Sequence, residues 1–175
     1  TMAMLRLFGA AKADEASGTN NWRRRVHALN VLKMVFEDAW LSTDLQPHAS
    51  DAMQLAIDGF RSSSWAVRNS SMMLFSATVR ATVGKRREKD DRSRRNRLTG
   101  DQFFGRFPAL YTYFEKELKD ASEYSARTSG FNRRTADDMH PTLFPILLVL
   151  TRLEPSPNGR GSSRPTLYDL NTFIS

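Results

Sequence analysis

The spacing of apolar residues along the first half of the chain is that of amphipathic helices. It predicts one helix from Trp22 to Trp40, a second from Pro47 to Phe60 and a third from Trp65 to Val83. The apolar residues of the first of these helices share one face: Ala28, Val31, Leu32, Val35 and Ala39. Ser64 and Gly84 stand where the N-cap and the C′ residue of the third helix belong, so the sequence also predicts where that helix begins and ends.

The second half of the chain continues this pattern with shorter helices. Thr99 and Gln102 match a capping box, which predicts a short helix that ends near Pro108. A fifth helix is predicted from Ala109 to Glu123. A sixth begins around Pro141 and is apolar nearly all round. A helix of that composition should be the most buried one of the fold.

The chain is predicted to be all-α, because no segment alternates polar and apolar residues over enough positions to require a strand. Consecutive helices with broad apolar faces suit either a helical bundle or an α-solenoid. We predict that residues 1–21 are the end of a preceding helix plus a linker, and that residues 22–175 are one helical segment. Within that segment we predict a basic loop at 85–98 and polar loops at 124–139 and 154–165.

The segment WAVRNSSMMLFSATV favours a solenoid of HEAT- or armadillo-like repeats over a bundle. It has the HEAT-like pattern of a Val-Arg pair in the first turn of a helix, followed by small residues and then Leu. Small residues let paired helices approach closely, and the arginine reaches a neighbouring turn. We interpret five residues of this segment as a structural repeat motif: Trp65, Val67, Arg68, Asn69 and Leu74.

Positive charge is concentrated in one stretch of the chain. The sequence has 26 basic and 19 acidic residues, a net charge of +7, and residues 85–97 contribute +5 of it. Eight basic residues lie in that stretch: Lys85, Arg86, Arg87, Lys89, Arg92, Arg94, Arg95 and Arg97. Two smaller clusters are Arg23, Arg24 and Arg25, and Arg133 and Arg134. Such side chains pair with phosphate and carboxylate groups, so the charge indicates an anionic partner, with a merely solvated loop as the alternative.

No arrangement of residues predicts catalysis or a metal site. A chain without cysteine has no thiolate nucleophile and no cysteine zinc site. The three histidines, His27, His48 and His140, show no ligand spacing, and the sequence contains neither a P-loop nor a G-x-G-x-x-G motif. Asp137 and Asp138, which precede His140, are interpreted as helix capping rather than as a cation site.

Aromatic residues are concentrated just after the basic loop. They are Phe103, Phe104, Phe107, Tyr111 and Tyr113. Core packing is the simpler interpretation of this group, and stacking on unpaired RNA bases is the alternative.

Three segments resemble one protein family: WAVRNSSMMLFSA, GKRREKDDRSRRNRLTGDQFFGRFPALY and HPTLFPILLVLTRLEPSP. Together with the earlier RVHALNVLKMVFEDAWLSTDL, they look like the central region of the THADA family, which comprises the thyroid adenoma-associated protein and its fungal relatives. The resemblance extends from about Trp22 to Phe173. Its most specific part is the arginine-rich loop that leads into T-G-x-x-F-F-x-R-F-P.

The resemblance implies a segment of a very long α-solenoid that is a non-catalytic partner of an FtsJ-like tRNA methyltransferase. That enzyme places a 2′-O-methyl group on a ribose of the anticodon loop and would itself hold S-adenosylmethionine, so no cofactor is expected on this chain. The eight basic residues of 85–97 are then candidates for tRNA binding, and the two smaller arginine clusters are secondary candidates. A protein-interaction scaffold without direct RNA contact is the alternative function.

The sequence indicates a cytoplasmic protein. It contains no secretory signal, and its longest apolar run is far shorter than the ~20 residues that a membrane-spanning helix needs.

Overall fold

The computed structural model describes residues 2–12, 21–38, 44–84, 98–128 and 140–154. These ranges contain seven α-helices: α1 (Met2–Lys12), α2 (Asn21–Glu37), α3 (Ala49–Asp58), α4 (Trp65–Val83), α5 (Gly100–Arg106), α6 (Pro108–Thr128) and α7 (Leu143–Leu150). They also contain two short 3-10 helices, Gln46–His48 and Gly59–Arg61, and two short strands, β1 (Leu98–Thr99) and β2 (Leu153–Glu154). The all-α class is confirmed. The chain divides into two compact units, Thr1–Gly84 and Lys85–Ser175.

In the first unit, α2 packs against α1 and α4, and α3 packs against the same two helices. The interior consists of fully buried apolar side chains that include Leu29, Leu32, Met53, Ile57, Val67 and Leu74. The buried face of α2 is rotated from the predicted one, because this helix contacts a neighbour on each side. Leu29 and Phe36 are buried there, whereas Val31 and Val35 are only half-buried. Ala39, the last residue of the predicted face, lies outside the described residues.

Helices α2 and α4 run in the same direction. Gly59 lies against Ser71 in the second turn of α4, since a Cβ built on Gly59 would be 2.7 Å from the Ser71 Cβ. The guanidinium of Arg25, near the start of α2, lies 4.0 Å from the same Cβ position. At the other end, Glu37 closes α2 and pairs with Arg80 in the last turn of α4. The N-terminal ends of the two helices therefore lie at the same end of the unit.

The two helices predicted at Pro47–Phe60 and Trp65–Val83 are confirmed, with differences at their ends. A 3-10 turn stands on each side of α3, and Pro47 lies in the first of them. The Ser64 side chain does not cap α4, in contrast to the prediction. Gly84 ends α4 at φ 91°, a left-handed conformation that glycine adopts without the steric penalty of a side chain.

The predicted capping box is present in the second unit. The Gln102 N–H donates to Thr99 Oγ1 at 3.3 Å and the Thr99 N–H donates to Gln102 Oε1 at 3.2 Å, so α5 starts where expected. Helix α6 continues to Thr128, so residues 124–128 of the predicted polar loop are helical. The extension has a simple reason, since no glycine or proline stands between Pro108 and Gly130.

The prediction that the sixth helix is the most buried one is wrong. This helix, α7, buries Pro145, Ile146 and Val149, while Phe144 is 65% exposed and Leu147 is 39% exposed. Its packing against α6 covers one face, and the opposite face is apolar without being covered by the residues that the structure describes.

Two short strands, which were not predicted from the sequence, are compatible with the all-α class. Strands β1 and β2 pair in parallel, with Leu98 opposite Leu153 and Thr99 opposite Glu154. A two-residue strand is too short to show an alternating pattern, so the sequence held no signal for it.

Candidate nucleic-acid interface

Most of the predicted RNA-binding residues lie outside the described part of the chain. They are Lys85, Arg86, Arg87, Lys89, Arg92, Arg94, Arg95 and Arg97, with Arg133 and Arg134 of the secondary clusters. Their role stays a prediction from sequence. Three predicted basic residues are described, and these are the arginines at the start of α2.

The structure separates these three arginines into two groups. Arg23 and Arg24 are exposed, and Arg25 is half-buried. The Arg23 guanidinium lies over the ring of Trp22, 5.3 Å from its centroid, which is a cation–π contact. No carboxylate among the described residues pairs with Arg23 or Arg24. These two cations are therefore available to an external anion.

Arg25 points into the fold instead. Its guanidinium reaches Gly59, where the chain turns between α3 and α4, and Gly59 in turn lies directly against Ser71. Ser71 is fully buried, and its hydroxyl has no hydrogen-bond partner in the described structure. Arg25 thus contributes to the junction of three helices, and only Arg23 and Arg24 of the cluster form an open basic surface.

The residues of the predicted repeat motif have different surroundings. Val67 and Leu74 are fully buried, Asn69 is half-buried, and Trp65 is 70% exposed. Arg68 donates from Nη1 to the carbonyl oxygens of Ser62 and Ser63, at 2.8 and 2.9 Å. Its guanidinium therefore holds the connection that leads into α4 against the first turn of that helix.

Glu37 joins α2 to α4 electrostatically. It accepts from Lys33, one turn earlier in α2, with 2.7 Å between Nζ and Oε2, and from Arg80 of α4. The hydrogen bond from Lys33, together with the charges of Lys33 and Arg80, lowers the pKa of the Glu37 carboxyl below its ordinary value of 4.5. Arg80 is therefore paired within the first unit, in contrast to Arg23 and Arg24.

The aromatic group after the predicted basic loop belongs to the core of the second unit. Phe103, Phe104 and Phe107 are buried, and Tyr111 and Tyr113 are half-buried. The rings meet at angles, with Phe104 edge-on to Phe103 at 5.2 Å and to Tyr111 at 5.3 Å between centroids. Buried phenylalanines cannot stack on RNA, so core packing is the correct interpretation for those three residues.

A buried polar chain that was not predicted from the sequence links α6 to the start of α7. Thr142 Oγ1 donates to Glu117 Oε2 at 2.8 Å, and His140 Nδ1 lies 2.8 Å from the same hydroxyl. Because Thr142 gives its only proton to Glu117, the His140 Nδ1 must be the donor of the second bond. Glu117 is 3% exposed and Thr142 is fully buried. One signal was present, since Glu117 lies at helical spacing from Leu110, Phe114 and Ala121 on the predicted core face.

The described residues hold no group of three or more acidic or histidine side chains that could bind a metal ion. Asp137 and Asp138, interpreted from their sequence position as helix capping, lie outside the described residues. Among the described helices, none is long and apolar enough to cross a membrane.

Two family models together match almost the whole chain. Residues 1–66 match THADA/TRM732, DUF2428, and residues 68–175 match Trm732, C-terminal TPR repeats. The chain belongs to the THADA/TRM732 family. The resemblance found in the sequence is therefore confirmed, and the helical repeats expected of a solenoid are described in this family as TPR repeats for the second part of the chain.

Named relatives of this family are regulators of a tRNA-modifying enzyme. The tRNA (32-2'-O)-methyltransferase regulator THADA of Gallus gallus is 43% identical over 86% of this chain, and that of Homo sapiens is 41% identical over 86%. The tRNA (32-2'-O)-methyltransferase regulator trm732 of Schizosaccharomyces pombe is 34% identical over 74% of the chain. The chain spans 8%, 7% and 8% of the length of these three relatives. No solved structure matches it.

Proposed function

We propose that this chain is the tRNA-binding segment of a non-catalytic regulator of tRNA 2′-O-methylation. In this proposal the segment binds tRNA in the cytoplasm and positions it for an FtsJ-like methyltransferase, which holds S-adenosylmethionine and carries out the transfer to a ribose of the anticodon loop. The chain itself needs no cofactor for that role. Its contribution is binding energy and orientation of the RNA.

The observation that carries the proposal is family membership with relatives named as regulators of tRNA (32-2'-O)-methyltransferase. The net charge of +7 is compatible with binding of the RNA substrate of such an enzyme by this chain. Each phosphate that a Lys or Arg neutralises releases counterions, so the eight basic residues of 85–97 would give a strong grip that tolerates different tRNA sequences. Arg23 and Arg24 add two exposed cations without a described acidic partner.

Binding of unmodified tRNA to the chain tests this function. Fluorescence anisotropy would be measured across a salt series for the wild type and for the loop variant R92E/R94E/R95E/R97E. We expect the affinity of the wild type to fall steeply with salt. The slope of log K against log salt should be about 3 to 4 units shallower in the variant, because each of the four lost phosphate contacts contributes about 0.7 to 0.9.

A control variant with the same change of charge elsewhere keeps this test specific. Lys116 and Arg152 are exposed in the second unit, and their reversal together with that of Arg6 and Lys12 of α1 gives another fourfold charge reversal outside the loop. Tight tRNA binding by the loop variant, with weaker binding by this control, would contradict the role of residues 85–97. A wild-type chain that binds no tRNA would contradict the proposed function.

A protein-interaction scaffold without direct RNA contact is the second candidate, and the apolar surface of the first unit favours it. Met34 of α2 is 67% exposed, and Met72 and Met73 of α4 are 50% and 39% exposed. Methionine side chains adapt to differently shaped partners and are common at protein-binding surfaces. Capture of the methyltransferase by the nuclease-treated chain, together with loss of that capture in M72S/M73S and absence of tRNA binding, would favour the scaffold.

A further inference from the structure

Two exposed tryptophans and two exposed arginines lie at one end of the first unit. Trp22 is 37% exposed and Trp65 is 70% exposed, although large aromatic side chains are usually buried. Arg23 and Arg24 follow Trp22 on α2. We call this group of four residues the tryptophan–arginine patch.

The fold brings the two parts of this patch to the same end of the unit. Trp22 is in the first turn of α2, and Trp65 is the first residue of α4. These two helices run in the same direction, because Arg25 in the second turn of α2 lies beside the contact between Gly59 and Ser71, and Glu37 at the end of α2 pairs with Arg80 in the last turn of α4. The two helix starts therefore lie at the same end of the unit, with Trp22 partly and Trp65 largely exposed there.

The charge of the patch is not compensated within the described structure. The first turns of α2 and α4 contain no acidic residue, although acids are favoured there by the helix dipole and cations are disfavoured. Asp58, at the end of α3 nearest the patch, pairs with Arg61 at 3.6 Å. Arg23 and Arg24 thus occupy positions that cost helix stability, and an external anion would remove that cost.

The composition of the patch favours RNA over an acidic protein surface. Aromatic rings stack on unpaired bases of any sequence, and arginine pairs with the phosphates between them. The Arg23 guanidinium already lies over the ring of Trp22, which is 37% exposed, so a cation and an aromatic ring are adjacent there. An acidic protein would require the arginines but would give no reason for two large rings to remain exposed.

We propose that the tryptophan–arginine patch binds unpaired nucleotides of RNA, with Trp22 and Trp65 stacking on bases and Arg23 and Arg24 pairing with phosphates. This proposal rests on the proposed function and adds to it a second contact, separate from residues 85–97. The patch would recognise a single-stranded loop rather than a duplex, because the bases of a duplex are already stacked on one another.

The test uses a labelled oligouridine of 12 nucleotides, a labelled RNA duplex and unmodified tRNA as probes. The variants of the complete 175-residue chain are W22A/W65A and R23A/R24A, with K116A/R152A as the matched control for loss of two exposed cations. W22F/W65F keeps two stacking rings and should recover most of the affinity. Circular dichroism melting checks folding, and R23A/R24A is expected to melt no lower than the wild type because it removes cations from a helix start.

We expect W22A/W65A to bind oligouridine at least roughly fivefold more weakly than the wild type. A loss of roughly fivefold is the smallest effect expected when one stacking contact is removed. R23A/R24A should lower the salt slope by about 1.4, since each single-strand phosphate contact contributes about 0.7. K116A/R152A should change neither quantity by more than about twofold, and W22A/W65A should leave the affinity for the duplex unchanged within about twofold.

Different results would overturn the proposal in distinguishable ways. Unchanged binding of oligouridine and tRNA by both patch variants would show that the patch is not the site, while wild-type tRNA binding that depends on residues 85–97 would leave the proposed function intact. A loss of duplex affinity as large as the loss of oligouridine affinity in W22A/W65A would exclude stacking on unpaired bases. Loss of methyltransferase capture without loss of RNA binding would assign the patch to a protein partner. Absence of RNA binding by the wild type would overturn both proposals.

Discussion

The contact between Gly59 and Ser71 makes a strong prediction about stability. A Cβ on Gly59 would overlap the Ser71 hydroxyl and would lie only 2.7 Å from the Ser71 Cβ, a separation that real Cβ atoms do not show. Gly59 has φ −66°, an ordinary helical value, so alanine would meet no strain in its own backbone. The glycine is required only because α3 and α4 approach each other so closely.

Gly59→Ala should therefore destabilise the first unit by about 2 kcal/mol, within the range of roughly 1 to 3 kcal/mol that overpacking of a core costs. The Ser71 Oγ can rotate away, whereas its Cβ is fixed to the α4 backbone and moves only with the helix. In the Gly59→Ala background, Ser71→Ala should then recover little stability and Ser71→Gly should recover most of it. Urea unfolding followed by circular dichroism measures these differences.

Gly9 provides a control, because the same glycine-to-alanine change there should raise the free energy of unfolding instead of lowering it. It lies in the middle of α1, is exposed, and has no atom within 4 Å of the place of a Cβ. Gly9→Ala should stabilise the chain by about 0.5 to 1 kcal/mol, because alanine loses less backbone entropy in a helix. A Gly59→Ala variant that unfolds at the urea concentration of the wild type or above would refute the close approach of α3 and α4.

Three further changes test other contacts. Arg68→Ala should lower the free energy of unfolding by about 1 to 2 kcal/mol in urea unfolding, because two hydrogen bonds to the carbonyls of Ser62 and Ser63 are lost, and tRNA affinity should not change. The lowered pKa of Glu37 contributes stability above its ordinary pKa of 4.5 that disappears as pH falls through the lower folded value. Glu37→Gln should remove that dependence in an acid titration of stability, by less than about 1 kcal/mol because the carboxylate is partly exposed. Thr142→Val should destabilise the second unit by about 2 kcal/mol, and Thr142→Ser should restore most of it; equal melting temperatures for the two variants would contradict a role for the hydroxyl.

The helices were predictable from the sequence wherever local rules decide. The bounds of α4 follow from apolar spacing and from Gly84, and the start of α5 follows from the Thr99 and Gln102 capping box. The end of α6 was missed because polar helix formers continue past the last apolar residue. In that case propensity, rather than burial, sets the length of the helix.

Features that depend on contacts between elements were not predictable from periodicity. The burial of α7 depends on how much of its surface α6 covers, and a sequence that is apolar all round does not specify which face is covered. The hydrogen-bond chain from Glu117 through Thr142 to His140 joins residues 25 positions apart, and no local pattern pairs them. Periodicity did place Glu117 on a core face, so a buried acid could have been predicted, but its partner could not.

The arginine cluster shows which part of a candidate site can be located from the sequence and which part requires the structure. Arg23, Arg24 and Arg25 are consecutive in the sequence, and charge alone predicts phosphate binding equally for all three. A helix turns by about 100° per residue, so three consecutive side chains point in different directions. The structure directs Arg25 towards Gly59 and leaves Arg23 and Arg24 beside an exposed tryptophan. Charge reversal of Arg25 therefore perturbs the junction of α2, α3 and α4, and a loss of RNA affinity in that variant reports on folding rather than on a phosphate contact.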